Sequence, residues 1–119
     1  MSSQPEQLRD RTKVFALRVI RLYRSLPYKT DTQVLGKQLL RCGTSVAANY
    51  RAVCRARSKA ELIAKLGVVV EEADEAILWL ELMTESGIVS AAKTEALLKE
   101  ANELTAIFAA SQRTARNAA

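Results

Sequence analysis

RCGTSVAANYRAVCRARSKAELIAKLGVVVEEADEAILWLEL, residues Arg41–Leu82, holds the end of one amphipathic helix, a tight reversal at Arg57-Ser58 and most of a second helix. Apolar residues recur at helical spacing through the whole stretch, yet an unbroken helix would run beyond about 50 residues, far past the usual length of roughly 8–20. Ser58, with Glu61 three residues on, has capping-box spacing and supplies the break. Upstream of it, Leu35, Leu39, Cys42, Val46 and Val53 make an inward seam. Downstream, Leu62, Leu66, Val69, Ala73, Ala76, Ile77, Leu80 and Thr84 make a second, and Gly87 ends that helix. Ser45 and Asn49 are expected to be buried polar residues. A buried Asn left unpaired costs about 1–3 kcal/mol, so Asn49 on the seam needs a partner from a neighbouring helix, where it would fix register. Gly43 allows close approach of a neighbouring helix.

Working outward, Leu8, Phe15, Val19, Leu22 and Leu26, flanked by Thr12 and Tyr23, predict a first helix over about residues 4–26, closed by Pro27. Thr30 and Gln33 stand in capping-box spacing ahead of the second helix, about 31–56. The third is expected over about 58–86. Ser90 can cap a fourth, about 90–115, whose inward face is Leu97, Ala101, Leu104 and Phe108, with a frayed end at Asn117-Ala118-Ala119. Four amphipathic helices with short connections predict an all-α, antiparallel up-down-up-down four-helix bundle in a single domain, residues 1–119.

Composition agrees: 49% of the residues are hydrophobic, and Gly and Pro number only 4 and 2. Nothing approaches the roughly 18–20 apolar residues of a membrane span, and the N-terminus has no signal-like apolar core, so the cytoplasm is the expected location and no membrane partner is expected. Cys42 and Cys54 would lie about 18 Å apart on one helix, too far for a disulfide, and are expected to be buried thiols. Charge is polarised. Residues 1–59 carry 13 Lys/Arg against 3 Asp/Glu, and residues 60–119 carry 5 against 10. Such a chain can attract polyanions through one half or copies of itself through both.

Opposite the core, the second helix presents Lys37, Arg41, Thr44, Ala48, Arg51 and Arg55. The same rhythm on the third picks out Glu61, Lys65, Val68, Glu72, Glu75, Trp79 and Leu82. An outward Trp is typical of buried interface centres. Val68, Glu72, Glu75, Trp79 and Leu82, together with Leu17 on the outer side of the first helix, are therefore the expected subunit interface. A joint between such unlike faces is heterologous and closes into a ring when the angles permit. Arg18, Arg21, Arg24, Lys37, Arg41, Arg51 and Arg55 are the candidate nucleic-acid contacts, tracking phosphate in a salt-sensitive way without base-stacking aromatics. A purely structural or protein–protein oligomer is the alternative.

An enzyme is not expected. The chain has no His, which removes the commonest general base and the ligands of di-iron bundles, and no catalytic residue, cofactor or metal is assigned. One remote alternative is a magnesium-dependent nucleotide pyrophosphatase, because Glu72-x-x-Glu75 and Glu100-x-x-Glu103 loosely match the acidic motifs of the all-α enzymes of that kind.

LGKQLLRCGTSVAANYR (Leu35–Arg51), RSKAELIAKL (Arg57–Leu66) and EEADEAILWLEL (Glu71–Leu82) resemble the four-helix-bundle family named for proteins encoded in intervening sequences of bacterial large-subunit (23S) ribosomal RNA genes. Arg41, Ser45, Asn49, Ser58, Lys65, Glu72, Glu75 and Trp79 carry the resemblance. It implies an antiparallel bundle, a homopentameric ring and no established enzymatic activity. The chain is also similar, more distantly, to accessory proteins of diversity-generating retroelements, basic ring-shaped bundles acting with a reverse transcriptase and its RNA, which implies RNA or a nucleoprotein as partner. Family members commonly carry Glu three residues after the matching Asn. Here that position is Ala52.

Overall fold

The computed structural model describes residues 3–118. Ser3 caps the first helix, its Oγ accepting from Glu6 N at 3.3 Å, and α1 spans Gln4–Arg24 with Pro5 in its first turn. The helix stops two residues before the expected Leu26. A residue preceding proline is forced out of the α region, so Leu26 ahead of Pro27 cannot continue it and instead folds back onto the core. Leu8, Thr12, Phe15, Ala16, Val19 and Leu22 are the buried face.

α2 spans Thr30–Val53. The expected capping box at Thr30 does not form, and Lys29 occupies the cap position with no side-chain bond. Gln33 is drawn elsewhere: its Nε2 donates to Pro27 O at 3.3 Å and its Oε1 accepts from Tyr23 Oη at 2.8 Å, which ties the turn to α1. The helix ends at Val53 rather than near 56. Cys54 therefore lies at the turn, where no layer covers it, and is exposed, against the expectation of a buried thiol; Cys42 is buried as expected, and both are free. The seam is Leu39, Cys42, Val46, Tyr50 and Val53. Gly43 lies against Val19 of α1, and Gly36 against Leu26 and Tyr23.

Ser58 caps α3, Lys59–Glu85, with its Oγ accepting from Glu61 N at 3.0 Å. Glu61 returns its carboxylate to Arg57 N, at 3.5 Å, completing a variant of the expected box. Gly87 adopts φ 80°, the left-handed conformation that ends helices, and turns the chain into α4, Ala91–Asn117. Asn117 is still helical, so the expected fraying does not reach it; Ala119 lies outside the described residues.

Successive helices pack side by side, α1 on α2, α2 on α3 and α3 on α4, while α4 closes more sparsely onto α1. The result is the antiparallel four-helix bundle, 50 × 27 × 19 Å. Tyr50 and Phe108 meet across the core with ring centroids 5.1 Å apart. Thr84 and Thr94 share a hydroxyl hydrogen bond of 2.8 Å between α3 and α4. No buried side-chain polar atom among the described residues lacks a partner. No described helix is long and apolar enough to cross a membrane.

Candidate functional site

The candidate surfaces depend on the phase of α3. Its buried seam is Leu66, Val69, Ala73, Ala76, Leu80 and Met83, spaced three and four apart. At about 100° per residue, Glu72 and Trp79 then fall near a quarter turn from the middle of the seam, with Lys65 closer in and Glu75 farther out, all on the flank facing α2 and none directly opposite the core. The expected outward stripe is thus rotated toward α2, and most of it is half-buried. Trp79 packs partly on its own core and donates from Nε1 to Glu75 Oε2 at 2.9 Å. The side facing away from the bundle reads Ala64, Val68, Glu71, Asp74, Leu78, Glu81, Leu82 and Glu85, all exposed.

Two apolar faces thereby point outward. On α3, Val68, Leu78 and Leu82 are 40%, 47% and 41% exposed, set among Glu71, Asp74, Glu81 and Glu85. On α1, Val14 and Leu17 are 52% and 42% exposed beside Lys13, Arg21 and Arg24. Of the expected interface residues, Leu17, Val68 and Leu82 stand on these faces, while Glu72, Glu75 and Trp79 sit in the α2/α3 seam. Leu78 joins Val68 and Leu82 from outside the expected rhythm, and its spacing of four from Leu82 is the signal in the sequence.

That seam holds a polar cluster. Arg41 reaches from α2 to both carboxylates of the next helix, bonding Glu72 at 3.3 Å and Glu75 more closely still. Cys42 Sγ donates to the same Glu75 Oε2 at 2.8 Å. Burial, and after it the Glu75 carboxylate, push the Cys42 thiol up to about 12. Hydrogen bonds from Cys42 and Trp79, followed by the charge of Arg41, hold the Glu75 carboxyl below its ordinary value. Cys42, Glu72 and Glu75 are the one group among the described residues whose ligand atoms, within 4.8 Å of one another, have the spacing a cation needs. With the thiol protonated and Arg41 already serving both carboxylates, it stands as an ion-pair network. Arg11 does the same on the other flank, joining α1 to α4 through Glu100 at 2.5 Å and Glu103 at 3.4 Å. The four glutamates of the pyrophosphatase reading are thus divided between two seams, each pair with its own arginine, and no described acidic group joins them.

Ser45 and Asn49 are half-buried rather than buried. Asn49 takes no partner from a neighbouring helix: its Nδ2 donates to Ser45 O at 2.9 Å and Ser45 Oγ at 2.8 Å, one turn back. Tyr50 fills the seam position instead. From Val46 to Val53 the seam can step three then four, or four then three, and the larger apolar side chain takes the core.

The expected phosphate contacts separate into groups. Arg51 and Arg55 come together with Arg57 and Lys65 around a surface notch of about 430 Å³. Arg18 and Arg21 share a shallow depression with Lys93, beside Leu22 and Leu97. Lys37 is at the far end of α2 near Tyr28 and Lys29. Arg24 is exposed on the α1 face described above, and Arg41 is committed to Glu72 and Glu75. A cavity of about 720 Å³ opens at the bundle end where Leu8, Tyr50, Leu62, Leu66 and Ile107 meet.

The fold has a close counterpart among solved structures. A protein of unknown function from the S23 ribosomal protein family of Bacteroides thetaiotaomicron, with a crystal structure at 1.70 Å, superposes with a TM-score of 0.86 at 30% identity, covering 93% of this chain and 99% of its own. No match was found among curated proteins. Residues 7–110 match the family described as 23S rRNA-intervening sequence protein, and with helix order, seams and length all in agreement, the chain belongs to that family.

Proposed function

We propose that this chain acts by binding and not by catalysis, assembling with copies of itself into a closed ring that offers basic side chains on and just after α2 to RNA. The observation that carries this is the pair of outward faces. Val14 and Leu17 lie beside cations on α1, and Val68, Leu78 and Leu82 lie among four carboxylates on α3. Apolar centres of this size with opposite rims favour each other over water and over themselves. Since α1 and α3 carry unlike faces, the joint between copies is heterologous and repeats until it closes. Five subunits is the number implied by the family resemblance. With the α1 face occupied, Lys37 and Arg51 on α2 and Arg55 in the turn after it are left for phosphate. A catalytic reading draws little support from a chain without His whose paired glutamates are held by Arg41 and Arg11.

Mixing two variants tests the joint. Leu17→Glu spoils the α1 face and Leu82→Lys the α3 face, so each alone should sediment as a monomer. Mixed, they retain one sound face each and should give a dimer that goes no further. Wild-type protein sedimenting as a monomer, or both variants assembling like the wild type, overturns this joint. A salt-dependent titration with single-stranded RNA completes the test: affinity should fall linearly in log–log form as salt rises. An assembled protein that binds no RNA would be the purely structural oligomer.

A further inference from the structure

We infer that the notch between the C-terminal end of α2 and the start of α3 is a phosphate-binding site, which, on the RNA reading above, seats one phosphodiester of the strand. Its walls bring Arg51 from α2, Arg55 and Arg57 from the turn and Lys65 from α3 around about 430 Å³ of open space. Against these four cations stands one carboxylate, Glu61. It is already engaged, 3.8 Å from Lys65 Nζ and accepting from Arg57 N. The notch therefore keeps an excess of positive charge after its internal pairing.

The helix dipole does not account for that excess. A cation in the last turn of α2 is favoured, which explains Arg51, while Arg55, in the turn beyond Val53, adds a second like charge beside it. Arg57, by contrast, adjoins the positive end of α3, where a cation gains nothing from the dipole. Guanidinium groups converging from two elements suit the oxygens of a phosphate, which they bond in forked pairs. Ala48 and Ala52 complete the lining, with side chains too short to fill the space beside the arginines. Ala52 matters most: a longer acidic side chain there would neutralise the notch from within.

The test uses the full-length protein, with Arg51→Gln/Arg55→Gln and Ala52→Glu as notch variants and Lys99→Gln, exposed on α4, as a control outside it. Inorganic phosphate is titrated while the backbone amides of positions 48 and 52 are followed by NMR, and a single-stranded RNA of ten nucleotides is titrated at several salt concentrations. The substituted side chains are exposed or half-exposed, and far-UV circular dichroism verifies that the variants fold. The expected result is a saturable shift of both amides in the wild type and the control, lost in the notch variants. RNA affinity in the notch variants should fall roughly tenfold or more, as for loss of a charge-assisted contact. The log–log salt slope should drop by about 0.7, the value for one phosphate of a single strand. Amide shifts with no RNA binding in the wild type would keep the notch as a site for free phosphate and remove the RNA reading. RNA binding untouched by the notch variants, with no amide shift from phosphate, would overturn the notch and leave RNA to another surface.

Discussion

Gly43→Ala should destabilise the protein, although alanine is the better helix former by about 1 kcal/mol. An added Cβ at Gly43 would lie 2.8 and 2.9 Å from the two methyl carbons of Val19 and 3.1 Å from its Cβ, well inside contact distance. Val19 is wholly buried, and a β-branched side chain on a helix has essentially one χ1 rotamer, so it cannot swing away. α1 and α2 must back off from each other along their contact, an overpacking strain of about 3 kcal/mol at the upper end of its usual range. Subtracting the propensity gain leaves a net loss of about 2 kcal/mol. For 119 residues the unfolding entropy is about 0.25 kcal/mol/K, so the midpoint should fall by about 8 °C, read by circular dichroism at 222 nm and one fixed protein concentration. Gly67→Ala is the internal control. Its Cβ would meet only Gln112 Nε2, at 2.9 Å, the end of a flexible side chain whose 3.1 Å bond to Ile63 O is the one contact at stake, so the loss of about 1 kcal/mol there is offset by helix propensity and the midpoint should change little. In the double variant Val19→Ala/Gly43→Ala the clash is gone, and the loss should be smaller than the sum of the singles by at least about 1 kcal/mol. A Gly43→Ala protein as stable as the wild type would refute the close α1–α2 approach.

Two further tests address the α2/α3 seam and the exposed thiol. Cys54 should react rapidly with a thiol-specific disulfide reagent while Cys42, buried and held protonated with its value near 12, reacts only as fast as the protein opens; Cys54→Ser should abolish the fast phase, and a surviving fast phase would contradict the burial of Cys42. The Glu75 carboxyl titrates below its ordinary 4.5 in the folded chain, so the unfolded state takes up the proton first as acid is added. Its stabilisation is complete above pH 4.5 and is lost as the pH falls through the lower folded value. Urea unfolding at pH 6 and pH 3 should show that part of the acid loss missing in Glu75→Gln, and an identical pH dependence in both proteins would count against the network.

The seams of α1 and α4 are legible because each is narrow. Leu8, Thr12, Phe15, Val19 and Leu22 fall in one arc flanked by Arg9 on one side and Arg11 and Arg18 on the other, Leu97, Ala101, Leu104 and Phe108 fall in an equally narrow arc, and the apolar residues elsewhere on these helices make no second seam as long. α2 is legible except at one step, where Asn49 and Tyr50 compete for the position between Val46 and Val53. Spacing cannot choose between them; packing against Phe108 does. The cross-seam pairs are beyond spacing altogether. Arg41 with Glu72 and Arg11 with Glu100 join residues 31 and 89 positions apart, and only the assembled helices bring them together.

α3 resisted phasing for a different reason. Val68, Val69 and Val70 put an apolar side chain at three successive angles, and Ile77, Leu78, Trp79 and Leu80 do so at four. With apolar residues all the way round, a rotation of a quarter turn costs the pattern almost nothing, which is why the stripe holding Glu72, Glu75 and Trp79 reads as outward until Met83 enters the seam and Arg41 claims the glutamates. A helix apolar on every side is normally enclosed on every side. Here one chain encloses α3 on three: the core takes Val69 and Leu80, and Trp79 on one flank and Val70 and Ile77 on the other pack partly against it. The fourth side, Val68, Leu78 and Leu82, is left to water within a single bundle. The ambiguity of the sequence and the proposed joint then have one origin, since a helix that must satisfy its own core and a second copy's α1 carries apolar residues for both, and the phase that suits one partner is blurred by the residues meant for the other.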